Sequence, residues 1–136
     1  MVRHFRVRTG DTSMIIGLGT DIAELQRIRS THERFGEHFL RKILTPVEIM
    51  ALPMHPIAYI AGRFAAKEAA VKALGTGFSR GISFMDIEIV HGAQGRPLLY
   101  FLGSARAQAE RIGVRTSHVS ISHSQHNAIA VVVLED

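Results

Sequence analysis

The chain has 136 residues, enough for one domain with a substantial core, and it contains no cysteine. Without thiols, disulfides and thiolate metal sites are excluded, and without a long apolar run or a signal-peptide pattern we expect a cytoplasmic protein rather than a membrane protein. The formal charge of +4 and the sequence pI of about 10.1 favour a negatively charged partner: nucleic acid, anionic lipid, a phosphorylated cofactor or an acidic protein.

The beginning of the chain divides into a lead-in and a strand. Residues 1–13 show no sustained period, so we expect a flexible N-terminal extension followed by a single domain over residues 14–136. The apolar, glycine-containing run of residues 14–19 predicts a buried strand, and Asp21 follows its carboxyl end. Taken alone, Asp21 is most simply interpreted as the N-cap of the next helix.

Several helices follow this strand. Apolar residues recur at a spacing of three over residues 22–28, which predicts a first helix with Arg27 on its exposed side. A shorter helical piece is expected over residues 37–44, and a capping box that begins at Thr45, with proline next, starts another short helix. The main helix is predicted over residues 57–74, and Gly75, which suits a left-handed cap, ends it.

The second half of the chain predicts two antiparallel hairpins around a helix. The expected elements are strand 85–89, return strand 98–102, helix 104–112, strand 118–122 and return strand 128–134. Helices that are separated from hairpins indicate an α+β fold rather than a doubly wound parallel sheet. The Gly-Leu-Gly of residues 17–19 is therefore not a dinucleotide-binding fingerprint.

One acidic residue of the main helix, Glu68, lies within an apolar stripe. Counting about 100° per residue, the stripe closes around it from both sides and consists of Ile57, Ile60, Ala61, Phe64 and Val71. A buried carboxylate must bind a proton, pair with a cation or coordinate a metal. Lys72, one turn further along, supplies a cation, and a second carboxylate would complete a metal site. The simpler alternative is an ordinary helix-stabilising Glu–Lys pair.

Three segments together resemble one protein family. They are GLGTDI at residues 17–22, GRFAAKEAAVKALGTG at residues 62–77 and VSISHS at residues 119–124. In this order and separation they are similar to the holo-acyl-carrier-protein synthases, which are small, trimeric 4'-phosphopantetheinyl transferases. The resemblance implies the 4'-phosphopantetheinyl transferase fold, in which an antiparallel sheet packs on a long helix. It also implies the reaction, a Mg²⁺-dependent transfer of 4'-phosphopantetheine from coenzyme A to a serine of apo acyl carrier protein, giving the holo protein and adenosine 3',5'-bisphosphate.

The resemblance identifies the catalytic candidates. It implies that Asp21 and Glu68 hold Mg²⁺, and that Lys72 donates to the same phosphates or assists the leaving group. Carboxylate oxygens, with water and phosphate oxygens in the remaining positions, are what Mg²⁺ prefers, and the ion would neutralise charge that builds on the leaving nucleotide. Two candidates remain for the base that deprotonates the serine, namely Glu68 and a metal-bound water.

The resemblance also assigns residues to the coenzyme. Besides Lys72 they are Arg63, Gly75, Thr76, Gly77, Gly95, Arg96, Pro97 and His123. Small residues at 75–77 would let backbone N–H groups approach a phosphate, although Gly75 itself is better explained as a helix stop. A protonated His123 would bind phosphate, whereas a solvated turn histidine is the usual case.

Partners follow from the resemblance together with the charge. Arg27 and its neighbours resemble a basic surface that meets acidic acyl carrier protein, although a charged helix face is usually only its solvated side. A homotrimer with active sites between subunits is implied, and neither nucleic acid nor a membrane is expected as a partner. Three positions depart from the family pattern and bring the contacts there into question: His38, His126 and Asn127.

Two other functions stay open at this level. A basic nucleic-acid-binding module would need neither Asp21 nor Glu68, but the chain lacks tryptophan and a pattern of stacking aromatics. Another Mg²⁺-dependent phosphotransferase or a nuclease would use the same two carboxylates on a different substrate.

Overall fold

The structure, a computed structural model, describes residues 13–136, so nearly all of the expected extension over residues 1–13 lies outside the described residues. The helices are α1 (Leu25–Phe35), α2 (Glu37–Ile43), α3 (Pro46–Met50), α4 (Ile57–Leu74) and α5 (Gly103–Ile112). The strands are β1 (Ile15–Glu24), β2 (Ile87–His91), β3 (Pro97–Phe101), β4 (Thr116–His123) and β5 (Asn127–Glu135). Their order is strand, helices, hairpin, helix and hairpin, and the predicted α+β fold class is confirmed.

Two antiparallel sheets accompany the long helix. One has three strands in the order β1-β5-β4, and the other is the β2-β3 hairpin. α4 packs against β1 and β5, and small side chains fill this contact: Ala61, Ala65, Ala66, Ala69 and Ala70 of α4, with Ala128 and Ala130 of β5, are fully buried. α4 is thus buried on most of its sides, as expected of a core helix. Across residues 13–136, no helix combines the length and the apolar character needed to cross a bilayer.

The closest approach in the core is between β1 and the backbone of α4. A Cβ atom added to Gly17 would lie 2.2 Å from the carbonyl oxygen of Ala73, and one added to Gly19 would lie 1.9 Å from that of Ala69. Only glycine fits at these two positions. Because alternate residues of a strand share a face, Asp21 projects toward α4 on the same side as both glycines.

β1 is longer than the sequence predicted. It runs to Glu24 instead of Gly19, so Asp21 lies within the strand, and α1 begins at Leu25 rather than Ile22. The prediction was wrong because Ile22, three residues before Leu25, also fits a helical spacing, whereas in the structure it lies on the outer face of the sheet. The N-cap interpretation of Asp21 is wrong as well, since Glu24 is the N-cap of α1.

The face of the three-stranded sheet that points away from α4 is apolar and exposed. Side chains alternate along the strands, so Leu18 and Ile22 of β1 share this face with Ile129 and Val131 of β5. These four side chains, which we call the outer sheet face, are 66, 61, 45 and 37% exposed, in that order. A contiguous apolar surface of this kind marks an interaction site.

The fully buried charged side chain of α4 is Lys67 rather than Glu68. The Glu68 side chain is half-buried, so the expectation of a fully enclosed carboxylate is wrong. Lys67 is 0% exposed, and its Nζ donates to Glu48 Oε1 at 2.5 Å and to the carbonyl oxygens of Ile43 and Phe84. All three hydrogens of the ammonium group therefore have acceptors.

Glu48 connects this lysine to two further segments of backbone. Its carboxylate accepts from the N–H of Thr45 at 2.8 Å and from the N–H of Ile89 at 2.9 Å, and the predicted capping box at Thr45 is confirmed. Burial lowers the pKa of Lys67, and the neighbouring Glu48 carboxylate opposes that shift. With every donor and acceptor satisfied, the ion pair links α2, α3, α4 and β2 inside the core.

Candidate active site

β1 and α4 bring together residues that are far apart in the sequence. Lys72 Nζ donates to Asp21 Oδ1 at 2.9 Å and to the carbonyl oxygen of Thr20 at 3.1 Å. Glu68 lies one turn before Lys72 on the same face of α4. We call Asp21, Glu68 and Lys72 the carboxylate cluster, and its assembly depends on the glycine contact that lets β1 approach the helix.

The charges in this cluster act on one another. Burial raises the pKa of Glu68, the Asp21 carboxylate raises it further, and Lys72 opposes the shift. Lys72 forms its ion pair with Asp21, so the simple helical pair between Glu68 and Lys72 is not what the structure contains. The two carboxylates thus repel each other, and the partly exposed ammonium group of Lys72 offsets this repulsion.

The donor set of the carboxylate cluster fits a small divalent cation. Mg²⁺ is commonly held by one or two carboxylates, with water and phosphate oxygens in its other positions. Among the described residues, no group of three or more acidic or histidine side chains forms a metal cage. Asp21 and Glu68 would therefore supply two oxygen ligands and leave the remaining positions to solvent and substrate.

A second group of predicted site residues surrounds Arg63. A cavity of about 490 Å³ is lined by Arg63, Gly95, Pro97 and His123, together with His55, Tyr59 and His91. The Arg63 guanidinium lies 4.1 Å from the centroid of the Tyr59 ring, and its Nη2 donates to His91 Nε2 at 3.0 Å. Arg63 is 5% exposed, and its Nε has no hydrogen-bond partner within the described part of the chain. A buried cation with a free donor is suited to an anionic ligand.

The Arg63 cavity and the carboxylate cluster lie on different faces of α4. Arg63 and Glu68 are five residues apart, which corresponds to about 140° around the helix axis. Neither Asp21 nor Glu68 lines the Arg63 cavity. Within one chain, the predicted site residues therefore form two separate groups rather than one pocket.

The end of α4 is a helix stop. Gly75 adopts the left-handed conformation, and the N–H groups of Gly75, Thr76 and Gly77 all donate to carbonyl oxygens of the last helical turn. In this conformation these three N–H groups are already bonded. A contact between residues 75–77 and the coenzyme has no support from this geometry and stays a prediction.

The remaining predicted residues are on the surface. Arg96 is exposed in the turn between β2 and β3. Arg27 is exposed on α1 and borders a cavity of about 430 Å³ that Ile28, Phe39 and Phe64 also line. The cavity is also lined by Glu24, and an apolar groove of this kind suits one face of an amphipathic helix.

Sequence reasoning missed three residues of the Arg63 cavity: His55, Tyr59 and His91. His91 ends β2 immediately before the glycine-rich turn, and a histidine at a strand end beside a predicted coenzyme-binding turn was the available signal. Tyr59 precedes Arg63 by one helical turn, which is the spacing at which an aromatic ring can stack on a guanidinium.

Comparison with known proteins gives consistent matches over most of the chain. The family model described as the 4'-phosphopantetheinyl transferase superfamily matches residues 17–132. A holo-[acyl-carrier-protein] synthase from Maridesulfovibrio salexigens is 55% identical over 123 residues, which cover 90% of this chain and 99% of the relative. The chain therefore belongs to the 4'-phosphopantetheinyl transferase superfamily, and within it to the holo-acyl-carrier-protein synthases.

Solved structures agree with this family. The crystal structure of holo-[acyl-carrier-protein] synthase from Neisseria meningitidis matches with a TM-score of 0.83 and 40% identity, covering 90% of this chain and 100% of that one. The Helicobacter pylori enzyme in complex with coenzyme A matches with a TM-score of 0.77 and 36% identity, covering 86% and 98%. The family and the enzyme class that the sequence predicted are confirmed.

Proposed function

We propose that this enzyme transfers 4'-phosphopantetheine from coenzyme A to a serine of apo acyl carrier protein in a Mg²⁺-dependent reaction, releasing adenosine 3',5'-bisphosphate. The observation that carries the proposal is that Asp21 lies beside Lys72, on the helix face that also holds Glu68, although Asp21 and Lys72 are 51 residues apart in the sequence. The relatives' names and the coenzyme A complex of the Helicobacter pylori enzyme support it. We infer a cytoplasmic location, with which the absence of cysteine is consistent.

Each residue of the carboxylate cluster has a separate task in this proposal. Asp21 and Glu68 would hold Mg²⁺, which when bound neutralises charge on the pyrophosphate of the coenzyme. The serine oxygen attacks the β-phosphorus, and the bond from that phosphorus to the leaving nucleotide breaks. Lys72 donates to the departing phosphate oxygen. Glu68 and a metal-bound water are the two candidates for the base that accepts the serine proton.

The direct test is mass spectrometry of the carrier. The protein is incubated with coenzyme A, Mg²⁺ and several apo carrier proteins, and each carrier is then weighed. We expect the added mass of one phosphopantetheine group, and omission of Mg²⁺ should abolish it. Unmodified carriers throughout, or hydrolysis of nucleic acid by the same preparation, would count against the proposal and favour one of the two rival functions.

We further propose a homotrimer with active sites between subunits. The outer sheet face offers each copy an apolar surface to bury, and closed symmetric assemblies are the common way to bury it. The separation of the Arg63 cavity from the carboxylate cluster supports shared sites, because one coenzyme can reach both groups more easily when they come from different copies.

Ile129→Glu should break the trimer. The substitution introduces a charge at the centre of the outer sheet face, where it would have to be buried on assembly. We expect a monomer in size-exclusion chromatography with light scattering at micromolar concentration, with activity lost in parallel. Val47→Glu, at a comparably exposed apolar position on α3, is the matched control and should stay assembled. Ile129→Glu eluting as a trimer would contradict this interface.

Arg27 is proposed to dock the acidic carrier beside the groove of Ile28, Phe39 and Phe64. Arg27→Glu should raise the KM for carrier protein about tenfold or more at low salt, since a like charge would face the acidic partner, while the KM for coenzyme A stays unchanged. Arg106→Glu on α5 changes the net charge equally and is the control. Steady-state kinetics at two salt concentrations measure the effect, and equal KM values for the two variants would refute a specific docking role.

A further inference from the structure

His91 joins two segments that are both predicted to bind the coenzyme. Its Nε2 lies 3.0 Å from Arg63 Nη2 on α4, and its Nδ1 lies 3.0 Å from the carbonyl oxygen of Gly95 in the turn between β2 and β3. The imidazole is thus the direct link between Arg63 and that turn. The link matters because the same guanidinium is buried and keeps one donor, Nε, free.

The two partners fix the protonation state of His91. A carbonyl oxygen can only accept, so the Gly95 contact requires a proton on Nδ1, and a guanidinium can only donate, so the Arg63 contact requires a lone pair on Nε2. Only the neutral imidazole protonated at Nδ1 satisfies both. A second proton on Nε2 would remove the acceptor and set a positive charge against Arg63.

No carboxylate is found among the described residues that line this cavity. The titratable and charged groups that line it together with His91 are Arg63 and Tyr59 of α4, His55 of the preceding loop and His123 of β4. Burial raises the pKa of Tyr59, so its hydroxyl is neutral at physiological pH. The charge of Arg63 therefore has no anionic partner among the lining residues, and an anion would supply one.

We propose that neutral His91 is a positioning residue that holds Arg63 and the Gly92–Arg96 turn together as one anion-binding unit for the coenzyme. This inference rests on the proposed function. His91 acts through its hydrogen bonds to Arg63 and the turn.

Two amide variants separate the two hydrogen bonds of His91. In His91→Gln the side-chain oxygen can reach the position of Nε2 and accept from Arg63, whereas in His91→Asn the shorter amide can replace only the Nδ1 donor to Gly95. His91→Leu removes both. His32→Gln, a half-buried histidine on α1 outside the cavity, is the matched control.

The experiment is isothermal titration with coenzyme A at pH 7.5, followed by kinetics with saturating carrier. We expect the Kd for coenzyme A to rise about tenfold in His91→Leu and by more than about threefold in both His91→Gln and His91→Asn, because each amide restores one of the two hydrogen bonds and neither restores the link. The effect should fall on the KM for coenzyme A and leave kcat within about twofold.

The outcomes are distinguishable from failure of the proposed function. Wild-type protein that does not bind coenzyme A would reject the function and this inference together. Coenzyme binding by wild type with an unchanged Kd in His91→Gln or in His91→Asn would reject the positioning role alone, because one of the two hydrogen bonds would then be sufficient. If His91→Leu does not fold, the comparison of the two amide variants still decides.

Discussion

Glu68→Ala should abolish Mg²⁺-dependent transfer while the trimer remains assembled. Loss of one of two proposed carboxylate ligands removes stabilisation of the charge that develops on the leaving nucleotide, and we expect kcat/KM to fall about a thousandfold or more. The Glu68 side chain is half-buried and accepts no hydrogen bond from the described residues, so its removal leaves no donor among them without its partner. Mass spectrometry of the carrier and size-exclusion chromatography measure the two quantities.

The metal-free protein provides an independent check of the same site. Burial and Asp21 raise the pKa of Glu68 above its ordinary value, so folding favours the protonated acid, and the metal-free protein loses stability as the pH rises through that pKa. Glu68→Gln lacks this loss. In EDTA its Tm should exceed that of wild type by about 1–3 °C at pH 8 and should match it at pH 4. Adding Mg²⁺ and coenzyme A should raise the Tm of wild type by more than that of the variant, which keeps only the Arg63 cavity for the coenzyme.

Glu110→Ala, an exposed carboxylate on α5, is the control for both measurements and should behave as wild type. Full Mg²⁺-dependent turnover in Glu68→Ala would overturn the metal assignment.

Lys67→Met should destabilise the protein by about 3–5 kcal/mol, because it leaves the Glu48 carboxylate buried without its cation. Both side chains of the pair are fully buried, so water cannot replace the lost partner. Urea unfolding followed by circular dichroism, at a fixed protein concentration because the protein is proposed to be oligomeric, measures the change.

Lys72→Met is the matched control, on the same helix and five residues further along. Its ion pair with Asp21 is half-exposed, so we expect a loss of less than about 1 kcal/mol of stability but a large loss of transfer activity. Lys67→Met should thus lower mainly the free energy of unfolding, and Lys72→Met should lower mainly the transfer activity. A Lys67→Met variant within 1 kcal/mol of wild type would show that the buried pair contributes little.

Local signals in the sequence predicted the long helix and its end, since Gly75 takes the left-handed cap and the helix covers the expected residues. The capping box at Thr45 and both hairpins were equally predictable, because turn and cap residues act over a few positions. The boundary between β1 and α1 was not predictable, because Ile22 fits both a strand pattern and a helix pattern. The pairing of β1 with β5 decides between them.

The candidate site was predictable as a set of residues but not as an arrangement. The resemblance to a family supplied Asp21, Glu68 and Lys72. A helical projection, however, predicted that Glu68 is buried, whereas the buried residue is its neighbour Lys67. Because α4 is enclosed on most sides, its own sequence does not show where a polar partner from another element lies. Glu48 was recognised as a cap, and its long-range bonds to Lys67 and Ile89 depend on tertiary packing. For the same reason the sequence did not single out His91.

The absence of side chains at Gly17 and Gly19 has a consequence for ion selection. The distance between the backbones that carry Asp21 and Glu68 is set by two main chains in direct contact, with no side chain between them. A methyl group at position 19 would push the strand outward and widen the opening without altering either acidic residue. We expect that change to favour larger ions such as Ca²⁺ over Mg²⁺, so that the dimensions of the proposed cation site would be specified by two residues that do not contact the ion.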